Sequence, residues 1–389
     1  MPRTDAPLVT SRTAPMFALI LLLVLCGPLA PRIAVADDVS GDYKAAVVMD
    51  SRTGEVLFAE NEHEPLPPAS MVKMMTELVV LELLAEGELK RDGQVTVSAK
   101  ASTMGGSQVY LKQGETFSVL EMLKALAIHS ANDAAVALAE HVAGSSEAFV
   151  EMMNRRARGM GMHDTTFHFV HGLPPGWRQD SDLSSAHDMA LLGRELSRYP
   201  EALEWAVSDR VPFRNGEFIL TNPNPLVGSY RGLEGIKTGF TSQAGYCLTA
   251  AATQKDVRLI SVVMGASTDE ARGRETTRLL SRGFDAYTKL TLVTAAGDPC
   301  TETVAVKGGK TKRAPLAFAD PLVVGVLRER SDEVTFRYDL PERIEAPAAA
   351  GDPVGHAVAE LDGQALGSVV LMLAETVEKG GFWDRLFKR

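Results

Sequence analysis

Residues 67–76 read PPASMVKMMT, and this stretch places a serine three residues before a lysine. Proline is tolerated at a helix start but not inside a helix, so the sequence predicts a helix that begins close to Ser70 and continues through the apolar residues 74–84. Ser70 and Lys73 then lie one turn apart on one face, which suits a nucleophile and its base. The alternative is a capping serine beside a solvated lysine, since roughly one such pair is expected by chance in a chain this long.

Two further segments carry polar residues of the kinds that serine chemistry uses. Ser130 and Asn132 lie at the junction of two predicted helices, where both can face one cleft. Lys237, Thr238 and Gly239 lie on a predicted strand, and the glycine lets a ligand or another backbone approach closely. An alternative stays open for each segment, because Asn132 could cap the second helix and Lys237 could be a solvated strand lysine.

The composition describes a folded, acidic chain with more than one domain. Its 389 residues suggest two or three domains, and its 45% hydrophobic and 23% charged residues argue against disorder. The formal net charge of -10 disfavours nucleic acid as a partner. The histidines and cysteines show no ligand spacing, so the sequence predicts no metal site.

Residues 1–36 have the pattern of a secretory signal peptide. Arg3 and Arg12 precede an apolar run at 16–26, and residues 34–36 are the small residues Ala-Val-Ala. We therefore expect export and removal of this segment. The apolar run is too short for a comfortable transmembrane helix.

In an exported protein the three cysteines could have two roles, a lipoprotein signal and a disulfide. Cys26 could mark a lipoprotein signal, but the large Leu25 stands before it where such signals have a small residue. Cys247 and Cys300 could pair in an oxidising compartment. We expect them to fall in different domains, which disfavours a disulfide between them.

Apolar periodicity predicts an α/β domain with an antiparallel sheet and a helical part. Strands of the sheet are predicted at 44–50, 55–60, 246–252 and 259–264, in addition to the strand that carries Lys237. The long helix packed on this sheet is predicted at 268–290. Helices are predicted at 118–128, 132–142, 149–160 and 186–198, and short strands at 95–98 and 108–111. Ser118 and Glu121 have the spacing of a capping box.

The residue pattern changes beyond residue 290, where short β-like runs alternate with Gly, Pro and Asp. This pattern predicts a small all-β domain. We therefore divide the chain into a signal peptide, a first folded domain, a β domain and a tail, at 1–36, 37–289, 290–375 and 376–389.

The end of the tail is amphipathic at helical spacing. Residues 382–389 read FWDRLFKR, with Phe382, Trp383, Leu386 and Phe387 on one face and basic residues on the other. Such a segment cannot span a bilayer but is suited to lie on an anionic one. The alternative is a tail that docks on its own protein.

Taken in order, Ser70-x-x-Lys73, Ser130-x-Asn132 and Lys237-Thr238-Gly239 resemble the motifs of penicillin-binding proteins and serine β-lactamases. The closer resemblance is to low-molecular-mass D-alanyl-D-alanine carboxypeptidases, and it covers nearly the whole mature chain. It includes Gly105-Gly106-Ser107, Asp133-Ala134-Ala135, His171-Gly172-Leu173, Gly235 to Gly239, the β domain and the tail.

Two departures from that family's pattern bear on substrate preference. Val72 stands where threonine is frequent, and Phe240 follows Gly239 where histidine is common. The resemblance implies a transpeptidase-like α/β fold with an antiparallel sheet and a helical subdomain that carries Ser130, followed by a β-sandwich.

The resemblance also implies roles for the motif residues. Ser70 would attack the peptide carbonyl while an uncharged Lys73 takes its proton, and burial together with Lys237 should depress the pKa of Lys73. Ser130 would pass a proton to the departing D-alanine, and Asn132 would bind the substrate amide and orient Lys73.

Substrate contacts follow from the third motif. Lys237 and Thr238 would receive the terminal carboxylate, with Arg258 as a weaker candidate for the same task. The oxyanion would be held by the backbone N–H groups of Ser70 and Phe240, the residue after Gly239.

The implied function is a serine-type carboxypeptidase that removes the terminal D-alanine from peptidoglycan stem pentapeptides and is acylated by β-lactams. No cofactor is expected. The expected location is the periplasmic face of the bacterial inner membrane, held peripherally by the C-terminal tail.

Two other functions are compatible with parts of this sequence. A class A β-lactamase would need a glutamate that activates the deacylating water, and Glu151 superficially offers one, although it lies in an apolar helical pattern. A non-catalytic envelope scaffold is disfavoured because Ser70, Lys73, Ser130 and Lys237 are all present.

Overall fold

The computed structural model describes residues 40–173 and 180–381. The predicted signal peptide, residues 174–179 and the amphipathic residues 382–389 lie outside the described residues. Within the described part, no helix combines the length and the apolar character that crossing a membrane requires.

The first folded part alternates strands and helices along the chain. In order its elements are β1 (Ala45–Asp50), β2 (Val56–Glu60), α1 (Lys73–Glu86), β3 (Gln94–Thr96), α2 (Ala99–Ser102), β4 (Thr116–Ser118), α3 (Val119–His129), α4 (Asn132–Ala143), α5 (Ser146–Gly159), α6 (Ala186–Leu196), α7 (Pro200–Ala206), β5 (Arg210–Phe213), β6 (Phe218–Thr221), β7 (Leu233–Thr241), β8 (Gly245–Gln254), β9 (Val257–Ala266) and α8 (Asp269–Ala286).

The remaining elements are strands, apart from one short 3-10 turn. They are β10 (Tyr287–Val293), β11 (Pro299–Lys307), β12 (Arg313–Phe318), β13 (Leu322–Leu327), β14 (Thr335–Asp339), β15 (Ile344–Glu345), β16 (Pro353–Leu361) and β17 (Gln364–Leu373). The predicted α/β class with a following all-β part is therefore confirmed.

A five-stranded antiparallel sheet in the order β2-β1-β9-β8-β7 separates two apolar layers. Successive side chains of a strand point to opposite faces. Accordingly Val47 and Val262 pack into the large core under the helices, whereas Val48 and Val263 pack into a second core. α6 lies against β1 and β9, and α8 covers β8 and β9. Strand β7 is left at the edge of the sheet.

The helical part is built on local signals that the sequence displays. Ser118 and Glu121 form the predicted capping box at the start of α3. α3 ends at Ser130, which adopts a left-handed backbone conformation with φ 63°. α4 ends at Gly144, also left-handed, as its sequence predicts.

The strand predicted at residues 108–111 is wrong. Two of its backbone N–H groups, at Val109 and Leu111, donate to the carboxylate of Asp133 at 3.1–3.2 Å instead of pairing with a strand. Asp133 is 1% exposed and also accepts from the N–H of Ala134. A buried side chain of α4 has replaced the partner strand as the acceptor.

The helix predicted over 268–290 ends earlier than expected, at Ala286. Tyr287 begins β10, which pairs antiparallel with β13. The hydroxyl of Tyr287 donates to the Asp50 carboxylate at 2.6 Å, so a contact far away in sequence ends the helix.

The all-β part has its own core. Its six-stranded sheet has the order β14-β16-β17-β12-β11-β15, and β13 of the β10–β13 pair packs against β17. Sequence analysis did not predict β10, β12 or the hairpin of β5 and β6.

Replacing Asp133 by alanine should destabilise the protein, because three N–H groups lose a charged acceptor. We expect the free energy of unfolding to fall by roughly 3 kcal/mol, measured by urea denaturation. The exposed Glu151→Ala on α5 is the control, with an expected change within about 0.5 kcal/mol. Equal effects of both substitutions would contradict this role of the Asp133 carboxylate.

Candidate active site

Ser70 and Lys73 lie where a short 3-10 helix passes into α1. Residues Ala69–Val72 form the 3-10 helix, and Lys73 is the first residue of α1. Residues i and i+3 eclipse each other in a 3-10 helix. Lys73 Nζ consequently lies 3.0 Å from Ser70 Oγ, and it donates to the carbonyl of His171 at 2.7 Å.

Burial controls the charge of Lys73. Its side chain is 0% exposed. Desolvation holds the pKa of Lys73 well below its ordinary value, and the positive charge of Lys237 lowers it further, against the attraction of Asp182 and Asp133. The amine is thereby favoured in the uncharged form that can accept a proton from Ser70.

The Ser130 segment presents polar atoms that are not used within the described part of the chain. Ser130 is 4% exposed and its Oγ has no hydrogen-bond partner there. Asn132 Nδ2 donates to Gly105 O at 2.7 Å, while its Oδ1 is buried and unpaired among those same residues. The capping alternative for Asn132 is wrong, because Ala131 is the N-cap of α4.

Two glycines allow other segments to lie close to the 3-10 helix Ala69–Val72, here called the serine turn. A Cβ on Gly239 would lie 2.7 Å from Pro68 O and 3.3 Å from Ser70 N, so edge strand β7 runs directly against the turn. A Cβ on Gly172 would lie 2.0 Å from Ala69 O, and Gly172 has φ 75°. Side chains at these two positions would push both neighbours away from Ser70.

The third motif lies on β7 as predicted. Lys237 is 3% exposed and its Nζ donates to Thr238 O at 3.2 Å, so the solvated-lysine alternative is wrong. Burial lowers the pKa of Lys237 to about 7. Phe240 is 53% exposed, and its ring lies 4.3 Å from that of Tyr246 on β8.

Neighbouring loops join the second motif to this turn. Asn132 N donates to Ser107 O at 2.7 Å. A Cβ on Gly106 would lie 2.8 Å from Asn132 Nδ2 and 3.1 Å from Leu173, the residue after Gly172. The loops that contain Gly106 and Gly172 therefore touch each other and link the start of α4 to the start of α1.

Arg258 does not lie in this cluster. Its guanidinium donates to both carboxylate oxygens of Glu234 at 2.6 and 2.9 Å and to Ser197 O. On β9 it stands opposite Thr253, whereas Lys237 stands opposite Thr249 on β8. Arg258 is therefore held in an ion pair where β8 ends and β9 begins, away from Lys237.

Arg272 on α8 is the cation that sequence analysis missed. It is 4% exposed, and it donates to Cys247 O at 3.3 Å and to Asp269. Cys247 lies directly opposite Gly239 in the sheet, and the charge of Arg272 lowers the pKa of Lys237. The signal in the sequence is that Arg272 shares a helix face with the buried residues Thr276 and Leu279.

Other candidates from the sequence take no part in the cluster. Glu151 has a 78% exposed side chain, 4.0 Å from Arg155, so the structure does not support the glutamate of the β-lactamase alternative. Cys247 and Cys300 are free thiols. Within the described residues no group of His, Cys, Asp and Glu could hold a metal ion.

His171 has a structural role beside Lys73. Its Nδ1 accepts from Leu173 N at 3.0 Å, and its ring stacks on Phe169. Burial lowers the pKa of His171 to about 3, and the positive charge of Lys100 acts in the same direction.

A serine against an uncharged buried amine, at a helix start beside an edge strand, defines a serine acyl-transfer enzyme. Comparison with known proteins identifies the family. Residues 33–268 match the family described as D-alanyl-D-alanine carboxypeptidase, and residues 289–379 match the C-terminal domain of penicillin-binding protein 5.

Individual relatives agree with the family matches. D-alanyl-D-alanine carboxypeptidase DacF of Bacillus subtilis is 36% identical over 89% of this chain and 88% of the relative. D-alanyl-D-alanine carboxypeptidase DacC of Escherichia coli is 37% identical over 90% of this chain and 87% of the relative. The crystal structure of penicillin binding protein 5 from Haemophilus influenzae is 32% identical, with a TM-score of 0.63, and covers 87% of this chain and 98% of that one.

The chain belongs to the D-alanyl-D-alanine carboxypeptidase family. The predicted low-molecular-mass penicillin-binding protein and the serine carboxypeptidase class of enzyme are thereby confirmed. The roles of individual site residues and the domain boundaries stay predictions.

The pH dependence of stability should report the buried neutral His171. Between about pH 3 and 6.5 the unfolded chain binds a proton at this residue that the folded chain does not, so stability falls as the pH falls. Relative to pH 7, this effect costs the wild type about 2 kcal/mol at pH 5.

His171→Asn keeps a hydrogen-bond acceptor but does not titrate. Its unfolding free energy, from urea denaturation at pH 7 and pH 5, should lack that decrease. The exposed His141→Asn serves as the control and should behave like the wild type. Parallel pH dependence of the wild type and His171→Asn would refute the assignment.

Proposed function

We propose that this chain releases the terminal D-alanine from peptidoglycan stem pentapeptides through an acyl-enzyme on Ser70. The observation that carries the proposal is the 3.0 Å approach of Lys73 Nζ to Ser70 Oγ in a buried site that favours the uncharged amine. Relatives named as carboxypeptidases that match about nine-tenths of the chain support the substrate class.

Acylation transfers one proton and exchanges one bond. Ser70 Oγ bonds to the carbonyl carbon of the penultimate D-alanine while Lys73 takes the hydroxyl proton. The oxyanion is held by the N–H groups of Ser70 and Phe240. The C–N bond then breaks, and Ser130, whose Oγ is otherwise unpaired within the described chain, gives its proton to the departing amine and regains one from protonated Lys73, which returns to the uncharged form.

Deacylation reverses these roles with water. The water gives its proton to Lys73, its oxygen bonds to the acyl carbon, and Ser70 leaves with a proton returned from the amine. Asn132 holds the substrate amide through its unpaired Oδ1. The cycle consumes water and needs no cofactor.

The substrate carboxylate is received on the β7 side of the site. Lys237 supplies positive charge and Thr238 a hydroxyl, and Gly239 keeps the strand close to the serine turn. We assign the second positive charge to Arg272 rather than Arg258 because of position. Arg272 contacts Cys247 O directly opposite Gly239, whereas Arg258 pairs with Glu234 near the ends of β8 and β9.

β-Lactams enter the same reaction. Penicillin-binding protein D2 from Listeria monocytogenes, 35% identical to this chain, has been solved in ampicillin-bound and cefotaxime-bound forms, with TM-scores of 0.58 and 0.59. In this chain the lactam carbonyl would acylate Ser70. The leaving group stays attached and hinders the approach of water, so the adduct should persist.

The location of the enzyme is part of the proposal. The signal-peptide pattern of residues 1–36 supports export, and the amphipathic residues 382–389 support peripheral binding to the periplasmic face of the inner membrane.

Product analysis tests the proposed reaction. The wild-type protein should release D-alanine from a stem pentapeptide faster than it opens a cross-linked dimer, and mass spectrometry should place the penicillin adduct on Ser70. Ser70→Ala should show neither D-alanine release nor an adduct. D-alanine release by that variant would exclude the proposed nucleophile.

The two arginines provide a matched pair of variants. Arg272→Gln should raise KM for the pentapeptide by about tenfold or more, because a charged partner of the carboxylate is lost. Arg258→Gln should change KM by less than about twofold, a difference within the range of remote surface changes. Thermal unfolding checks that both variants are folded, and the reverse order of effects would contradict the assignment.

Removal of residues 382–389 tests the membrane anchor. The truncated protein should appear in the soluble fraction after cell lysis and fail to bind vesicles that contain anionic lipid, while it still releases D-alanine. A scrambled tail of the same composition is the control, since it retains the charges but not the apolar face. Unchanged vesicle binding by the truncated protein would rule out the anchor.

A further inference from the structure

A segment without regular secondary structure carries the carbonyl group that binds Lys73. Residues 167–171, here called the His171 segment, lie outside the helices and strands of the fold. Lys73 Nζ donates to His171 O at 2.7 Å, so the direction of the amine depends on where the segment places that oxygen. Connecting segments are usually more mobile than helices and strands, so this placement requires contacts that hold the backbone.

Side chains from separate parts of the chain bind the start of the segment. Asn154 on α5 accepts from Phe167 N at 2.9 Å and donates to Phe167 O at 2.7 Å. Asp182 is 5% exposed, and its Oδ1 accepts from the N–H groups of His168 and Phe169 at 2.6 and 3.0 Å. Side chains thus satisfy backbone groups that a helix or a sheet would otherwise pair.

Thr76 binds the next residue of the segment from α1. Its side chain is 0% exposed, and its hydroxyl donates to Val170 O at 2.8 Å. Thr76 follows Lys73 by three residues, so the two side chains lie one turn apart on one face of the helix. They bind successive carbonyl groups, Thr76 that of Val170 and Lys73 that of His171. These two hydrogen bonds fix the register of the segment against α1.

This register determines where the lone pair of Lys73 points. An uncharged amine has two N–H groups and one lone pair. When one N–H is bound to His171 O, the lone pair can face the hydroxyl of Ser70, whose oxygen lies 3.0 Å from Nζ. A displaced His171 carbonyl would turn the amine away from Ser70, and small errors in the alignment of reacting groups slow a reaction strongly.

We propose that Thr76 is a positioning residue for the general base, because its hydroxyl holds the Val170 carbonyl and thereby places the adjacent His171 carbonyl that orients Lys73. The inference rests on the proposed function and deepens its chemical step. The recorded contacts of the Thr76 hydroxyl are with Val170 O and, at 3.9 Å, Met153 Sδ, and neither belongs to the groups assigned to the substrate carboxylate. Loss of this hydroxyl should therefore slow acylation without weakening the first binding step.

Thr76→Val tests the role of the hydroxyl, because valine keeps the shape of the side chain and loses the donor. Rapid mixing with benzylpenicillin separates the dissociation constant of the first complex from the rate constant for acylation of Ser70. We expect the rate constant to fall by about tenfold or more, and the dissociation constant to change by less than about twofold. Thr76→Ser keeps the hydroxyl and should retain most of the wild-type rate constant.

Ser261→Ala is the control for the loss of a buried hydroxyl. Ser261 on β9 is 0% exposed, and its Oγ has no hydrogen-bond partner within the described residues. This substitution should leave both constants within about twofold of the wild-type values. Thermal unfolding at pH 7 checks that each variant is folded.

Specific outcomes would overturn the inference. An unchanged acylation rate constant in Thr76→Val, or equal rate constants in Thr76→Val and Thr76→Ser, would show that the hydroxyl does not position Lys73. An effect confined to the dissociation constant would also refute it, since the hydroxyl would then act on binding.

A second variant covers the case in which Thr76→Val does not fold. Asp182→Ala frees the His171 segment at residues 168 and 169, so it should lower the same rate constant, and an unchanged rate constant there would contradict the inference. A wild type that is acylated but releases no D-alanine would instead contradict the proposed function.

Discussion

The active site depends on one contact, in which an amine without charge lies against a serine hydroxyl. Water would protonate Lys73 and abolish this contact as a route for proton transfer. The protein prevents protonation by burying the side chain completely and by placing a second buried lysine close enough to repel a proton. The fold around the site excludes water, so that Lys73 stays uncharged beside the second lysine.

The position of the site between two layers makes this burial possible. The serine turn is covered by the edge strand on one side and by the loop after His171 on the other, and both approaches need glycine at the point of contact. The opposite face of the sheet is covered by α8, which contributes Arg272. The helices and the sheet thus each contribute a basic residue to the site.

Local signals were sufficient for most of the secondary structure. The capping box at Ser118, the alternation along β7 to β9 and the glycine after α4 act between neighbours in sequence, so they can be recognised without a fold. The failures arose where a distant group supplied the deciding contact. The Asp133 carboxylate took the N–H groups of a predicted strand, and Asp50 accepts the hydroxyl of Tyr287 at the point where the helix ends.

The order of residues along the chain was enough to identify which side chains could perform the chemistry, because one helical turn sets the spacing of Ser70 and Lys73. The sequence also identifies the family, since the three motifs follow one another in the order that is typical of that family. The choice between the two arginines needed the folded chain, because the partner of each comes from the fold. Protonation and charge pairing depend on burial and on groups from distant segments, and a linear pattern contains neither.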